Sequence, residues 1–135
     1  MAHENEHDLT AERIAQNQST FRAANEDIEA AAQALAPELP RVPFICECLQ
    51  TGCTRTIRLR LAEYEAVRAD PTHFVVLPEH EFSEVDGERI ARVVARETGY
   101  SIMEKVGDAG EEARRLDRRT NGDPAAPASV AEQDA

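Results

Sequence analysis

Three cysteines lie within eight residues of the sequence, at Cys46, Cys48 and Cys53, and the chain has no others. Closely spaced thiolates suit zinc, which takes four sulfur or nitrogen donors in a tetrahedral arrangement. In a strand, Cys46 and Cys48 point to one face and Glu47 to the other. A tight turn before Cys53 brings the third thiol to the same edge. The spacing therefore predicts a metal site with three thiolate ligands.

A histidine is the expected fourth ligand. His80 follows Pro78, which stiffens the turn that presents it, whereas His73 stands at the start of a predicted strand and competes for the same role. His3 and His7 lie in a polar N-terminal segment and are poorer candidates. The sequence thus predicts a structural zinc ion held by four ligands, with His73 as the alternative in the fourth position: Cys46, Cys48, Cys53 and His80.

The same thiols have other interpretations. Free cysteines are often small buried hydrophobic residues, and thiolates beside Arg55 suit a redox switch that releases zinc on oxidation. A catalytic zinc would need an open coordination position and a nearby general base. The sequence has no glycine-rich phosphate loop, HExxH or GxSxG motif. It therefore predicts no enzymatic activity.

Charge and hydropathy narrow the class of partner. The 135-residue chain has a net charge of −11, which repels phosphate backbones and disfavours nucleic acid. Arg55, Arg58 and Arg60 lie in the nearly neutral middle of the chain and keep a nucleic-acid-binding zinc module as an alternative. The sequence contains no run of about eighteen apolar residues, which is the length that a membrane-spanning helix requires. We expect a cytoplasmic protein, whose thiols stay reduced.

Helical spacing covers residues 10–36, where Ile14, Phe21, Ile28 and Leu35 recur every seven residues. This narrow apolar stripe predicts that the helix packs on the domain, pairs with a second copy, or binds an unknown protein partner. Pro37 ends the helix. Residues 1–9 are expected to be disordered.

Residues 41–107 are predicted to form the zinc-binding domain, and residues 108–135 a charged, largely disordered tail. Short runs rich in β-branched residues predict strands, with one short helix between the second and third. The fold class is α+β: a long N-terminal helix, then a small zinc-stapled antiparallel sheet. The predicted elements of the domain are strands at 42–48, 54–59, 73–77, 89–96 and 100–106 and a helix at 61–69.

Several sequence blocks occur in a recognisable order. They are Asn17-Gln18, Phe21-Arg22, Asn25-Glu26 and Ile28, then the cysteine cluster, then residues 63–68 and 74–81. This order resembles a group of small uncharacterised proteins of actinobacterial type, over about residues 12–106. The resemblance implies a bacterial protein with a helix before a cysteine-bearing α+β domain, and it carries no assigned activity. The group has Gly where this chain has Glu79, and Thr where it has Arg60.

Together these features predict a non-enzymatic zinc-binding interaction or regulatory module. A thiol-based redox stress sensor and a nucleic-acid-binding zinc module are the alternatives.

Overall fold

The fold is a long helix laid against small antiparallel sheets. The computed structural model describes residues 2–50 and 52–119. This architecture confirms the predicted α+β class. The elements are α1 (Ala2–Leu35), β1 (Val42–Ile45), β2 (Thr56–Leu59), α2 (Leu61–Arg68), β3 (His73–Val76), a 3₁₀ turn (Pro78–His80), β4 (Glu84–Val85), β5 (Glu88–Arg89), β6 (Ala91–Glu97), β7 (Tyr100–Lys105) and α3 (Gly107–Arg115).

The first sheet is the hairpin of β1 and β2. Val42 lies opposite Leu59 and Phe44 opposite Ile57, and all four side chains are buried. Because strand side chains alternate, these pairs form one apolar face. The Phe44 ring stacks on Tyr64 of α2, with centroids 4.3 Å apart. This face and α2 enclose the centre of the core.

The second sheet has three strands in the order β3, β7, β6, so β7 is paired on both sides. Gly99, with a φ of 87°, turns the chain between β6 and β7. The acidic segment before β6 contains the small hairpin of β4 and β5. Its turn is Asp86-Gly87, with φ values of 52° and 82°. Positive φ at both central residues matches the twist of the flanking strands.

Polar side chains dock α1 onto the domain. Every third or fourth residue along one face is buried, and almost all of them are polar: Gln18, Arg22, Asn25, Glu26, Glu29 and Ala32. Arg22 donates to the carbonyls of Pro71 and Ala113, at 2.6 and 3.0 Å, and its guanidinium lies 4.4 Å from the centroid of the Phe74 ring. Because these buried groups have partners, burying them is tolerated.

The predicted apolar stripe is not the centre of this docking face. At about 100° per residue, the stripe lies roughly 90° around the helix from the buried polar face. Ile28 is half-buried against the core, whereas Leu35 is 83% exposed. The helix therefore packs on its own domain through hydrogen bonds and ion pairs.

The segment after β7 differs from the predicted tail. Gly107–Arg115 forms α3, and ion pairs anchor the residues that follow it. Asp117 is buried against Arg68 and lies 3.6 Å from Arg22, and Arg119 contacts Glu26, Glu29 and Glu65. Because these partners are distant in the sequence, the local composition gave no sign of the ion pairs. The charged segment was therefore predicted to be a tail. Residues 120–135 lie outside the described residues.

The N-terminal end also differs from the prediction, because α1 starts at Ala2 instead of near residue 10. The chain has no proline before Pro37 and no glycine before Gly52, so no helix-breaking residue interrupts this segment. None of the helices within residues 2–119 combines the length and the apolar character that crossing a bilayer requires.

Asn25 provides a direct test of polar docking. Its amide donates to Ile45 O at 2.8 Å and to Glu47 Oε2 at 2.9 Å, and it accepts from Ile45 N at 2.7 Å. We expect Asn25→Ala to lower the free energy of unfolding by about 2–3 kcal/mol, because it leaves buried groups unpaired. Urea denaturation measures this change. Asn17→Ala, at a half-buried position on the same helix, is the control and should cost less than about 1 kcal/mol. Equal losses in both variants would contradict polar docking.

Candidate metal site

The structure brings the four residues predicted as ligands into one cluster. The ligand atoms of Cys46, Cys48, Cys53 and His80 all lie within 4.8 Å of one another. The three cysteines are free and buried, with exposed fractions of 0%, 2% and 7%, and His80 is half-buried. The turn after Pro78 predicted His80 as the fourth ligand, and the structure places it, 34 residues from Cys46, with the thiols.

The spacing of the cluster fits a tetrahedral ion. With Zn–S bonds of about 2.3 Å and Zn–N bonds of about 2.05 Å, a tetrahedral zinc separates sulfur from nitrogen by about 3.6 Å. Here Cys46 Sγ lies 3.5 Å and Cys53 Sγ lies 3.6 Å from His80 Nδ1. The donor set and the distances are therefore compatible with a zinc site.

Backbone pairing positions Cys46 and Cys48 between the two sheets. Cys46 N donates to Arg55 O at 2.9 Å, which continues the pairing of the first hairpin. Glu47 N then donates to Val75 O of β3 at 2.8 Å. The segment after β1 therefore changes its pairing partner, from the strand segment at Arg55 to β3, within one residue. The two thiols consequently lie where the sheets meet.

Two tight turns supply the other ligands. Cys53 N donates to Gln50 O at 3.1 Å, closing the turn between β1 and β2. His80 ends the 3₁₀ turn that starts at Pro78, and its N–H donates to Leu77 O at 2.9 Å. Leu77 N also donates to Cys46 Sγ at 3.3 Å. The segment after β3 is thus hydrogen-bonded to Cys46 in addition to supplying His80.

Glu47 lies between two of the candidate ligands, and its side chain points away from them into the protein. The carboxylate is fully buried and accepts three hydrogen bonds: from Asn25 Nδ2 and Tyr64 OH, both at 2.9 Å, and from Val75 N at 3.0 Å. Burial raises the pKa of Glu47, and the hydrogen bonds from Asn25 and Val75 oppose that shift. Sequence reasoning missed this role. The predicted alternation, which turns Glu47 away from the two thiols, is the one sequence signal that bears on it.

The Cys46 and Cys48 thiols do not ionise independently. A hydrogen bond from Cys46 lowers the pKa of Cys48 to about 5. The same bond, followed by burial, raises the pKa of Cys46. Zinc binds cysteines as thiolates, so metal binding at this cluster would release protons and depend on pH.

The other residues considered as ligands or contacts lie elsewhere. His73 sits at the far end of β3, with its Nε2 3.3 Å from Glu104 and 3.5 Å from Asp70. Arg55 pairs with Glu79 at 2.9 Å, and Arg58 and Arg60 are exposed. The structure thus separates His73 from the thiols.

Comparisons with known proteins add no relative to these observations. No protein-family model matches the chain, and neither the curated proteins nor the solved structures gave a significant match.

The hydrogen bonds of Glu47 predict that the isosteric substitution Glu47→Gln lowers the stability of the fold. In Glu47→Gln, the new amide group faces either Asn25 Nδ2 or the Val75 N–H, both of which are donors, whichever way it is turned. We expect the free energy of unfolding to fall by about 2–3 kcal/mol. Glu79→Gln, on the exposed side of the site, should change it by less than about 0.5 kcal/mol. Chemical denaturation of the two variants checks the difference, and a neutral Glu47→Gln would contradict the acceptor-only environment.

Proposed function

We propose that Cys46, Cys48, Cys53 and His80 bind one zinc ion, and that the protein is a non-enzymatic zinc-binding interaction or regulatory module. The observation that carries this proposal is the cluster itself: four buried or half-buried ligand atoms within 4.8 Å. Three thiolates and one imidazole in a tetrahedral arrangement select zinc among the common metals. Free, clustered thiols also agree with a reducing compartment such as the cytoplasm.

A structural role for zinc is supported because the protein supplies all four ligands, which leaves no position for a reactive water. The acids near the site in sequence are also engaged elsewhere. Glu47 is turned inward, Glu79 pairs with Arg55, and Glu81 accepts from Arg96 and Ser101. None of these three carboxylates is placed to act as a general base beside the metal.

Zinc in this position would crosslink three segments that are separate in the sequence. Its ligands come from the end of β1, the β1–β2 turn and the 3₁₀ turn after β3. Among the described residues, the core contains four buried aromatic side chains: Phe44, Tyr64, Phe74 and Tyr100. In small domains with thin cores, metal binding contributes much of the folding free energy.

The interaction part of the proposal is supported by exposed apolar side chains at the C-terminal end of α1. Leu35 is 83% and Leu39 is 48% exposed. Leu35 belongs to the apolar stripe and Leu39 follows the end of α1, so a protein partner or a second copy that binds there would cover both.

Metal analysis with matched histidine variants tests the zinc site. We expect about one zinc per chain in protein purified without added metal. His80→Ala should weaken zinc binding by more than the 10–100-fold that is typical for loss of a supporting contact, as measured by competition with a chromophoric chelator. His73→Ala should leave the affinity unchanged, because His73 lies with Asp70 and Glu104. Metal-free, fully folded protein, or equal effects of the two variants, would reject the proposal.

A redox-sensing site is the second candidate, favoured by the solvent-facing depression beside the cluster. Gln50, Gly52, Cys53, Thr54, Arg55 and His80 line it. It gives an oxidant access to Cys53, and oxidation of zinc thiolates releases the metal. We expect hydrogen peroxide to release zinc in step with thiol loss if this candidate is correct. Retention of zinc under excess peroxide would reject it and leave the structural role intact.

A further inference from the structure

Lys105 is the only lysine in a chain with fourteen arginines. It lies at the end of β7 and is 7% exposed. Its Nζ donates to Gln18 Oε1 and stands 5.2 Å from the centroid of the Phe74 ring. Within the described part of the chain, no carboxylate pairs with it. Burying an ammonium group without a counter-charge is costly, so this environment favours the neutral amine.

A cavity of about 300 Å³ lies beside this amine, between α1, α3 and the β4–β5 hairpin. Its walls are mainly apolar and include Ile14, Phe74, Val85, Ile90 and Leu116. Gln18 and Lys105 are its buried polar residues, whereas Glu88 and Asp108 are exposed at the mouth. An apolar cavity of this size with few convergent polar groups is typical of a small-molecule site.

The chemistry of the amine follows from these surroundings. Burial, followed by the charge of Arg22, lowers the pKa of Lys105 to about 7. At neutral pH the neutral fraction is then about 10³-fold larger than for a free lysine, whose pKa is about 10.4. Arginine cannot lose its proton under these conditions. Lys105 is therefore the one basic side chain of the Lys/Arg type that can act as a nucleophile here.

We propose that this cavity binds a small, neutral, apolar aldehyde or ketone, and that Lys105 Nζ forms a reversible imine with it. The nitrogen lone pair attacks the carbonyl carbon, and a proton passes from nitrogen to the carbonyl oxygen to give a carbinolamine. Loss of water then gives the imine, and addition of water reverses the reaction. Gln18 Oε1 accepts one N–H of the amine, which leaves the lone pair available.

The charges at the mouth define the ligand further. Glu88 and Asp108 are exposed acids, and Glu112, also lining the cavity, pairs with Arg115. Negative charge at the entrance disfavours keto acids and other anionic carbonyl compounds. The apolar walls favour a short alkyl or aryl chain. Hexanal is a suitable probe, and 2-oxohexanoate is its anionic counterpart.

Reductive trapping tests this site in the zinc-loaded, full-length chain. The protein is incubated with hexanal at pH 7, reduced with borohydride, and analysed by intact mass and peptide mapping. We expect one hexyl group on the peptide that contains Lys105, at aldehyde concentrations that leave Nα-acetyl-lysine unmodified, in line with the roughly 10³-fold larger neutral fraction. 2-Oxohexanoate should give much less adduct. Lys105→Met, which keeps the length of the side chain but removes the amine, should give none.

Modification confined to the α-amino group, or trapping of Lys105 no faster than Nα-acetyl-lysine, would overturn the proposal. So would preferential trapping of the anionic probe. Peptide mapping of the wild-type adduct locates the reaction even where Lys105→Met does not fold. The zinc content is measured on the same sample. It does not depend on whether Lys105 is trapped, so failure of the imine proposal can be told apart from failure of the zinc proposal.

Discussion

The burial of the Glu47 carboxylate is the constraint on which the remaining structure depends. A buried charge must be paired or fully hydrogen-bonded, and here the donors come from α1, α2 and β3: Asn25, Tyr64 and the Val75 N–H. Because Cys46 and Cys48 flank Glu47, satisfying its carboxylate also determines the direction of both thiols. The same residue thus holds the long helix against the domain and orients half of the candidate metal site.

Gln18 extends this network from the metal site to the cavity. Its Nε2 donates to Glu47 O at 3.1 Å, and its Oε1 accepts from Lys105. Imine formation at Lys105 would change the hydrogen bond to Gln18 Oε1. The other end of the Gln18 amide is bonded to the carbonyl of Glu47, which lies between Cys46 and Cys48. The two sites are chemically distinct, yet a single buried side chain connects them.

The sequence was informative where the pattern is local. Short runs rich in β-branched residues predicted the strands that the structure shows as β1, β2, β6 and β7. Cysteine spacing predicted which thiols would meet. The docking face of α1 could not be predicted in this way, because apolar periodicity does not indicate where paired polar residues are buried. The same holds for the residues after β7, where Asp117 meets Arg68, 49 residues away. Pairing between distant charges leaves no periodic signal.

A helix docked by polar groups has a consequence for the metal-free protein. If loss of zinc loosens the segment from Cys46 to Cys48, Glu47 and Asn25 lose their fixed partners, and α1 loses part of its attachment. The surface then exposed by the helix carries Arg22, Glu26 and Glu29, which water solvates readily. Undocking an apolar helix would instead expose a patch prone to association. Polar docking would therefore let the proposed zinc ion influence the position of α1 without making the metal-free state aggregate through this face.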